Sequence, residues 1–298
     1  MQPYCRKVMR PSKTAELAAA ARADHTRNVS PPVFEDILAH AMCGPLWRTI
    51  LSSKFLSRLV LYGFLGKIQP IVPAIYMRAR FGEDCLEAAV REGLEQYVII
   101  GAGYDTFALR RVDLMKRLKV WEIDQAATQD MKLRRMQAAG FEKPKGVQYV
   151  QSDLDKEDLH EVLKRTGFDF MRPVMISWFG VTYYLNTDTI QKTLSSISVN
   201  MAPGSTIVFD YLADPTWMPD NAQLLHKRCA DFVARRGEPW ISSFNPPDLP
   251  GFLGDLGYAE IDNLEPDKVA DRYSRQHPQL EYPSVIGLCR ARTVSIQA

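Results

Sequence analysis

Residues 97–106 place two glycines, Gly101 and Gly103, directly after the largely β-branched apolar run Tyr97, Val98, Ile99 and Ile100, with Asp105 or Thr106 positioned to cap a following helix. Strand, glycine turn and helix in that order let the backbone approach a nucleotide-like ligand and aim helix N–H groups at it. Two glycines alone carry little weight. More comes from Asp124, 21 residues past Gly103 at the end of a second strand-like run, where a carboxylate can accept hydrogen bonds from ribose hydroxyls. Arg78 can pair with a ligand carboxylate or stand as an ordinary surface arginine. Asp153 can face a ligand or cap a helix over 156–164, and Tyr104 can be a lid residue or simply part of the turn. Trp178, Phe179, Tyr183 and Tyr184 cluster after a buried-type strand. They read either as core packing or as an apolar acceptor slot in which a tyrosine hydroxyl orients a reacting oxygen, with Trp217, Trp240 and Phe244 completing the wall.

The elements that must position these residues alternate in type. Helices are expected over 14–27, 83–95, 107–114, 125–139, 156–164, 187–200 and 220–236, and strands over 97–100, 118–123, 147–150, 173–178 and 205–210, with two more near 264 and 282–290. Thr187 or Asp188 is the expected cap of the helix over 187–200. Such βα alternation with short connections predicts an α/β fold: a parallel sheet with helices on both faces, closed by a pair of late strands. Right-handed crossovers gather the strand C-termini, and with them Gly101, Asp124, Asp153, the loop over 178–184 and Asp210, at one edge. The chain divides into a tail (1–13) and a single domain (14–298). Within the domain lie an N-terminal helical cap (14–74), a core (75–211), a lid or substrate insertion (212–251) and closing strands (252–298). The cap reads equally as helices packed on the sheet or as a cover over the ligand.

The composition is that of a well-cored protein: 298 residues, 46% hydrophobic and 24% charged, with a net charge of +2 that points to no particular partner. Without a dense Lys/Arg tract, nucleic acid is not an expected partner. Five scattered cysteines and five scattered histidines show no metal-ligand spacing, so no metal is expected, and the odd cysteine count fits a reducing compartment. No apolar run reaches the length of a membrane span, and the basic start (Arg6, Lys7, Arg10, Lys13) lacks an apolar h-region. Cytoplasmic location without a membrane partner is therefore the expectation, an organelle address the alternative.

The set Gly101-Ala-Gly-Tyr-Asp-Thr106 with Arg110, Glu122-Ile-Asp124, Ser152-Asp-Leu154 and Gly180-Val-Thr-Tyr-Tyr-Leu185, with Arg78 and Asp210 in support, resembles the leucine carboxyl methyltransferase-like (Ppm/polyketide carboxyl methyltransferase-like) branch of the class I S-adenosylmethionine-dependent methyltransferases. The resemblance spans residues 14–290. It implies a Rossmann-like fold with a seven-stranded, mostly parallel sheet, S-adenosylmethionine as cofactor, and methylation at oxygen, of a carboxylate or hydroxyl on a small or peptide-terminal apolar acceptor. It also implies Arg78 on the donor's carboxylate, Gly101 beneath its methionine part, Asp124 on its ribose, and Asp153 and Leu154 beside its adenine. The full set of expected donor contacts is Arg78, Gly101, Ala102, Gly103, Tyr104, Asp105, Asp124, Gln125, Asp153, Leu154, Trp178 and Phe179. Tyr183 and Tyr184 are the expected catalytic residues. Two positions depart from the pattern: Phe179 stands where a glutamate usually helps hold the donor's amino group, and Phe107 replaces a common arginine.

An ionised carboxylate acceptor needs no general base, whereas a phenol or alcohol is helped by one, with His226 or a nearby Asp as candidate. Phe179 motivates the alternative of a catalytically impaired homologue used for binding or scaffolding. An NAD(P)-dependent oxidoreductase fits less well: Thr106 stands where its fingerprint needs a third glycine, and no Tyr-x-x-x-Lys element is present.

Overall fold

In the computed structural model, residues 11–274, 277–278 and 281–294 are described. Of the expected tail, 1–10 lie outside them, while Ser12 accepts a hydrogen bond from the Ala15 N–H and starts helix α1 (Lys13–Asn28). The N-terminal region continues through three short helices, α2 (Ala39–Met42), α3 (Pro45–Ser52) and α4 (Lys54–Arg58), and a π-helical turn over Leu59–Phe64. Helix α5 then runs unbroken over Val72–Arg91. The sequence predicts this helix only from 83, because Pro70 and Pro73 read as breakers. Pro73 instead falls in the first turn, where its missing N–H has no intrahelical partner to lose. Gly93, expected in the last turn, lies beyond the helix with φ +98°.

The remaining elements alternate. Strand β1 (Gln96–Ile100) leads to short helices α6 (Phe107–Arg110) and α7 (Val112–Met115); then come β2 (Lys119–Asp124), α8 (Ala126–Ala138), β3 (Val147–Gln151), α9 (Leu159–Lys164) and β4 (Met175–Trp178). After these follow α10 (Thr187–Asn200), β5 (Thr206–Leu212), α11 (Asp220–Ala234), α12 (Leu249–Asp255), β6 (Tyr258–Leu264), α13 (Pro266–Ser274) and β7 (Ile286–Thr293). The single helix expected over 107–114 is broken at Arg111, whose ψ of 53° leaves the helical region. Helix α9 starts at Leu159 rather than 156 because Asp158 accepts from the N–H groups of His160 and Glu161. Asn186, not Thr187 or Asp188, caps α10 by accepting from the Thr189 N–H at 2.8 Å.

The seven strands form one sheet in the order β3-β2-β1-β4-β5-β7-β6, parallel from β3 to β5, with β7 antiparallel to both neighbours. Period-2 alternation divides the core. Val98, Ile100, Ile176 and Trp178 pack on one face among side chains of α9, α10 and α12, whereas Tyr97, Ile99, Met175 and Val208 pack on the other against α5. The direction of strand succession reverses between β1 and β4, so the crevice over their carboxyl ends is the topological switch point where open α/β sheets bind ligands.

Candidate active site

The turn after β1 is held by its own backbone. The N–H groups of Gly101 and Ala102 both donate to the Ile123 carbonyl, at 2.9 and 3.2 Å. Gly101 has φ +67°, and a Cβ there would sit 2.3 Å from Val181 Cγ2, so only glycine fits. Asp124 ends β2 and closes the turn: its Oδ2 accepts from the Gly103 N–H at 2.5 Å and its Oδ1 from the Gln125 N–H at 2.7 Å. Burial pushes the Asp124 pKa up, and the two N–H groups pull it back only in part. No cation is in ion-pair range of this carboxylate among the described residues. Asp105 accepts from the Phe107 N–H at 2.6 Å through Oδ1 and has no protein donor on Oδ2 among the described residues.

A second cluster stands where β4 and β5 end. Arg78, reaching over from α5, donates through Nη1 to Asp210 Oδ2 and to the Tyr183 hydroxyl, both at 2.9 Å. Asp210 is fully buried, and its Oδ1 accepts from the Gly180 N–H at 2.6 Å. Gly180 has φ +74°, and any Cβ there would lie 2.6 Å from Arg78 Nη2, so this glycine makes room for the guanidinium. Burial works against the Arg78 charge, but Tyr183 and Asp210 outweigh it and raise its pKa. Burial, then the Asp210 charge, raises the Tyr183 pKa well above the ordinary tyrosine value, and burial raises Tyr184 as well. Both phenols stay protonated near neutrality and act as hydrogen-bond donors rather than bases.

These clusters open into one cavity of about 1140 Å³. Of the expected residues, Arg78, Gly101, Ala102, Gly103, Tyr104, Asp105, Asp124, Gln125, Asp153, Leu154, Phe179, Tyr183 and Tyr184 line it. Trp178 does not: it is fully buried in the core on the opposite face of β4. Phe179 packs on Gly82 of α5, where a Cβ would come within 2.6 Å of Phe179 Cε2. Asp153 is ion-paired with Lys156 and does not cap α9, a role Asp158 fills. Trp240 lines the cavity with its ring 5.6 Å from that of Tyr183; Trp217 packs in the same apolar cluster without reaching the cavity, and Phe244 packs in the core on the other face of the sheet. His226 lies outside the lining, its ring 5.4 Å from Trp240 and its pKa lowered by burial.

The sequence reading offers the N-terminal cap as a cover and the insertion as a wall, but it names none of the following residues. Ser12, Thr14, Ile68, Ile71, Phe232 and Glu238 all line the cavity. The Ser12 N–H donates to Thr128 Oγ1 at 3.1 Å and the Thr14 N–H to Glu238 Oε2 at 3.3 Å, so the start of α1 bridges α8 and the insertion. Behind the glycine turn, the buried Asp36 accepts from Arg22 Nε at 2.9 Å and from Thr106 Oγ1 at 2.6 Å, while Arg22 Nη2 donates to the Tyr104 carbonyl at 2.8 Å. Burial alone would raise the Asp36 pKa; Arg22 and Arg110 overcome it and hold the group below the usual carboxylate range. The N-terminal helices are thereby pinned to the turn. A lone Ser12 or Asp36 carries no sequence signal of such contacts, because Thr128 and Thr106 are distant along the chain.

A sequence profile described as leucine carboxyl methyltransferase matches residues 15–198. YktD of Bacillus subtilis (strain 168), classed among the S-adenosyl-L-methionine-dependent methyltransferases, is 27% identical over 278 residues, covering 88% of this chain and 91% of that protein. A Mycolicibacterium paratuberculosis protein given the same description is 31% identical over 231 residues, covering 73% of this chain and 72% of its own. Among solved structures, a protein from Thermobifida fusca YX described as a methyltransferase superposes with TM-score 0.63 at 16% identity, covering 96% of both chains. A duf574 family protein from Streptomyces avermitilis superposes with TM-score 0.61 at 13% identity, covering 92% of this chain and 97% of that one. At these identities the two structures speak for the fold alone. The glycine turn closed by Asp124, lying within the stretch that the profile matches, fits a nucleoside-bearing donor, and the chain belongs to the leucine carboxyl methyltransferase family of S-adenosylmethionine-dependent methyltransferases.

Proposed function

We propose that this methyltransferase acts on oxygen, and that its preferred acceptor is the carboxylate of a small or peptide-terminal apolar molecule. The observation that carries the reading is the chemistry of the cavity wall. Asp124 and the glycine turn occupy one part of it and Phe179, Tyr183, Tyr184 and Trp240 another, with no histidine in the lining. Tyr183 and Tyr184 hold their protons, so neither serves as a base. A carboxylate arrives ionised and needs none, whereas an alcohol would require proton removal that the wall is poorly equipped to perform.

When bound, S-adenosylmethionine supplies a methyl group on a sulfonium, which is already activated toward an incoming oxygen. The chain's own part is then orientation and electrostatics. Asp124 carries a half-buried carboxylate without a counter-cation, and ribose hydroxyls can satisfy its remaining lone pairs. Arg78 spends only Nη1 on Asp210 and Tyr183, so Nη2 and Nε remain for the donor's carboxylate. With Phe179 in place of glutamate, Asp105 is the carboxylate best suited to the donor's ammonium. Glu83 also lines the cavity, but Arg110 and Arg111 take both its oxygens. Tyr184 can donate to the acceptor oxygen and fix its angle; Tyr183, whose single proton points to Asp210 Oδ2 at 3.5 Å, holds Arg78 in place, while Phe179 and Trp240 exclude water.

Calorimetric titration with S-adenosylmethionine and S-adenosylhomocysteine tests the donor half of this reading. Saturable binding should weaken about 10- to 100-fold in Asp124→Ala, the worth of hydrogen bonds to a charged group. Transfer of labelled methyl to apolar carboxylic acids, with little to matched phenols, would support the acceptor class. Transfer to phenols or alcohols alone would overturn it.

A further inference from the structure

From residue 37 to residue 82 the chain contains no aspartate or glutamate, yet it carries Arg48, Lys54, Arg58 and Lys67, all exposed. Among the described residues, no carboxylate forms an ion pair with these four side chains. The same segment turns large apolar side chains to the outside: Leu46 is 72% exposed, Phe55 74%, Leu59 46%, Tyr62 58% and Phe64 81%. Its inner face is firmly anchored, since Leu51, Ser57 and Leu61 are buried, Ser57 is bonded to Asp24, and Arg27 Nη2 holds the Ser52 carbonyl at 3.1 Å. The outward rings therefore belong to a fixed surface. Exposed apolar side chains gathered in this way mark an interaction face rather than incidental surface.

We propose that α3, α4 and the π-helical turn over Leu59–Phe64 form a peripheral docking face for an anionic lipid bilayer. Aromatic and leucine side chains interspersed with unneutralised lysine and arginine are the chemistry that partitions into a headgroup region of negative charge. Charge argues against a second copy of the chain, because a two-fold contact through this face would oppose the four cations to themselves with no acid of the segment to meet them. The face lies on the bilayer without crossing it. No single helix among the described residues is long and apolar enough to span; Lys54–Phe64 and Gln69–Arg91 would suffice together by length and composition, but they are bent by 104° at their break, and α5 buries Met77, Phe81 and Leu86 against the sheet while carrying Arg78 to the site. The segment leads directly into Ile68 and Ile71, two residues of the cavity wall, so docking would bring the apolar side of the cavity next to the membrane.

Co-sedimentation of the full chain with vesicles of phosphatidylcholine, alone or mixed with phosphatidylglycerol, tests this at low and near-physiological salt. The protein should pellet with the mixed vesicles, less so as salt rises, and weakly with phosphatidylcholine alone. Phe55→Ser combined with Phe64→Ser should lower partitioning about tenfold or more. Lys54→Glu and Arg58→Glu should each lower it about fivefold or more. All these side chains are exposed, so melting temperature and S-adenosylmethionine binding should match the parent and show that any loss is not misfolding. Absence of pelleting with the mixed vesicles at low salt, or equal partitioning into both compositions, would overturn the proposal. So would a concentration-dependent dimer, formed without lipid and abolished by the phenylalanine pair, which would assign the face to a second copy.

Discussion

The two ends of the cavity are built from different materials. Around Gly101 the wall is strand-end backbone, closed on itself: two N–H groups share the Ile123 carbonyl, and Asp124 is fixed by two more. Around Tyr183 the wall is made of side chains from segments far apart in the chain. Only a few cross-links join them, among them the Ile241 N–H to the Tyr183 carbonyl at 2.7 Å and Ser242 Oγ to the Thr182 carbonyl at 3.2 Å. The first kind of wall depends on conformations that few residues adopt, so substitution there should fail abruptly. The second depends on shape and apolar contact, so it should respond by degrees. A family can thus keep one donor end and vary the acceptor end without loss of fold.

Arg78 anchors the end around Tyr183, and breaking it should have the largest effect. Arg78→Ala removes the one ion-pair partner that the fully buried Asp210 has among the described residues. Loss of one member of such a pair typically costs about 3–5 kcal/mol, so denaturant unfolding should show a large drop together with loss of donor binding. A drop below about 1 kcal/mol would mean that the pair contributes little to the fold. Trp240→Ala should act on one end only: kcat/KM for the acceptor falls about tenfold or more while the S-adenosylmethionine affinity holds. Equal losses in both would erase the distinction.

Asp124→Asn sharpens the contrast through pH. Burial raises the folded-state pKa of Asp124 above its ordinary value of 3.8, so the folded chain holds this proton more tightly than the unfolded chain does. The stability linked to that proton is complete below 3.8 and lost as pH rises through the folded value. Near pH 7 the ionised carboxylate is therefore a burden on the ligand-free fold. The parent's linked stability should fall as pH rises above 3.8, whereas Asp124→Asn, which keeps one acceptor oxygen and turns an NH2 toward the other N–H, should lose that pH dependence and bind the donor more weakly. Thermal melts across pH, paired with titrations at neutrality, check both signs. The smallest effect is expected from His226→Ala. His226 touches the cavity only through Trp240, so acceptor turnover should change no more than about twofold and the pH–rate profile should keep its shape.

Asp124 was legible because ribose recognition at a strand end fixes a distance along the chain, about 20 residues, between the glycine turn and the acid. Trp178 was misread for want of a parity argument. Ser177 and Phe179 line the cavity while Trp178, between them, packs with Ile176 and Ile100 on the other face, as period-2 alternation requires. The start of α9 at Leu159 and the cap of α10, whose own start at Thr187 is as expected, went astray by small margins because Asp153, Asp158, Asn186 and Asp188 are all competent caps, and only the path of the chain selects among them. The role of α1 had no local signature. Its contacts join Ser12 to Thr128, Thr14 to Glu238 and Arg22 to Asp36 and Tyr104, and of these only Asp36 is near in the chain.

The sequence by itself determined the order of strands and helices, the glycine turn and the acid that closes it, because apolar periodicity and glycine's backbone freedom act over a few residues at a time. Tertiary structure alone decided which aromatic residues face the cavity, that Arg78 pairs with Asp210 beneath Tyr183, and that α1 and the insertion meet over the site. It also decided that Arg48, Lys54, Arg58 and Lys67 and the rings of Phe55, Tyr62 and Phe64 are all exposed. Those outcomes depend on distances between segments hundreds of atoms apart along the chain, and no spacing rule encodes them.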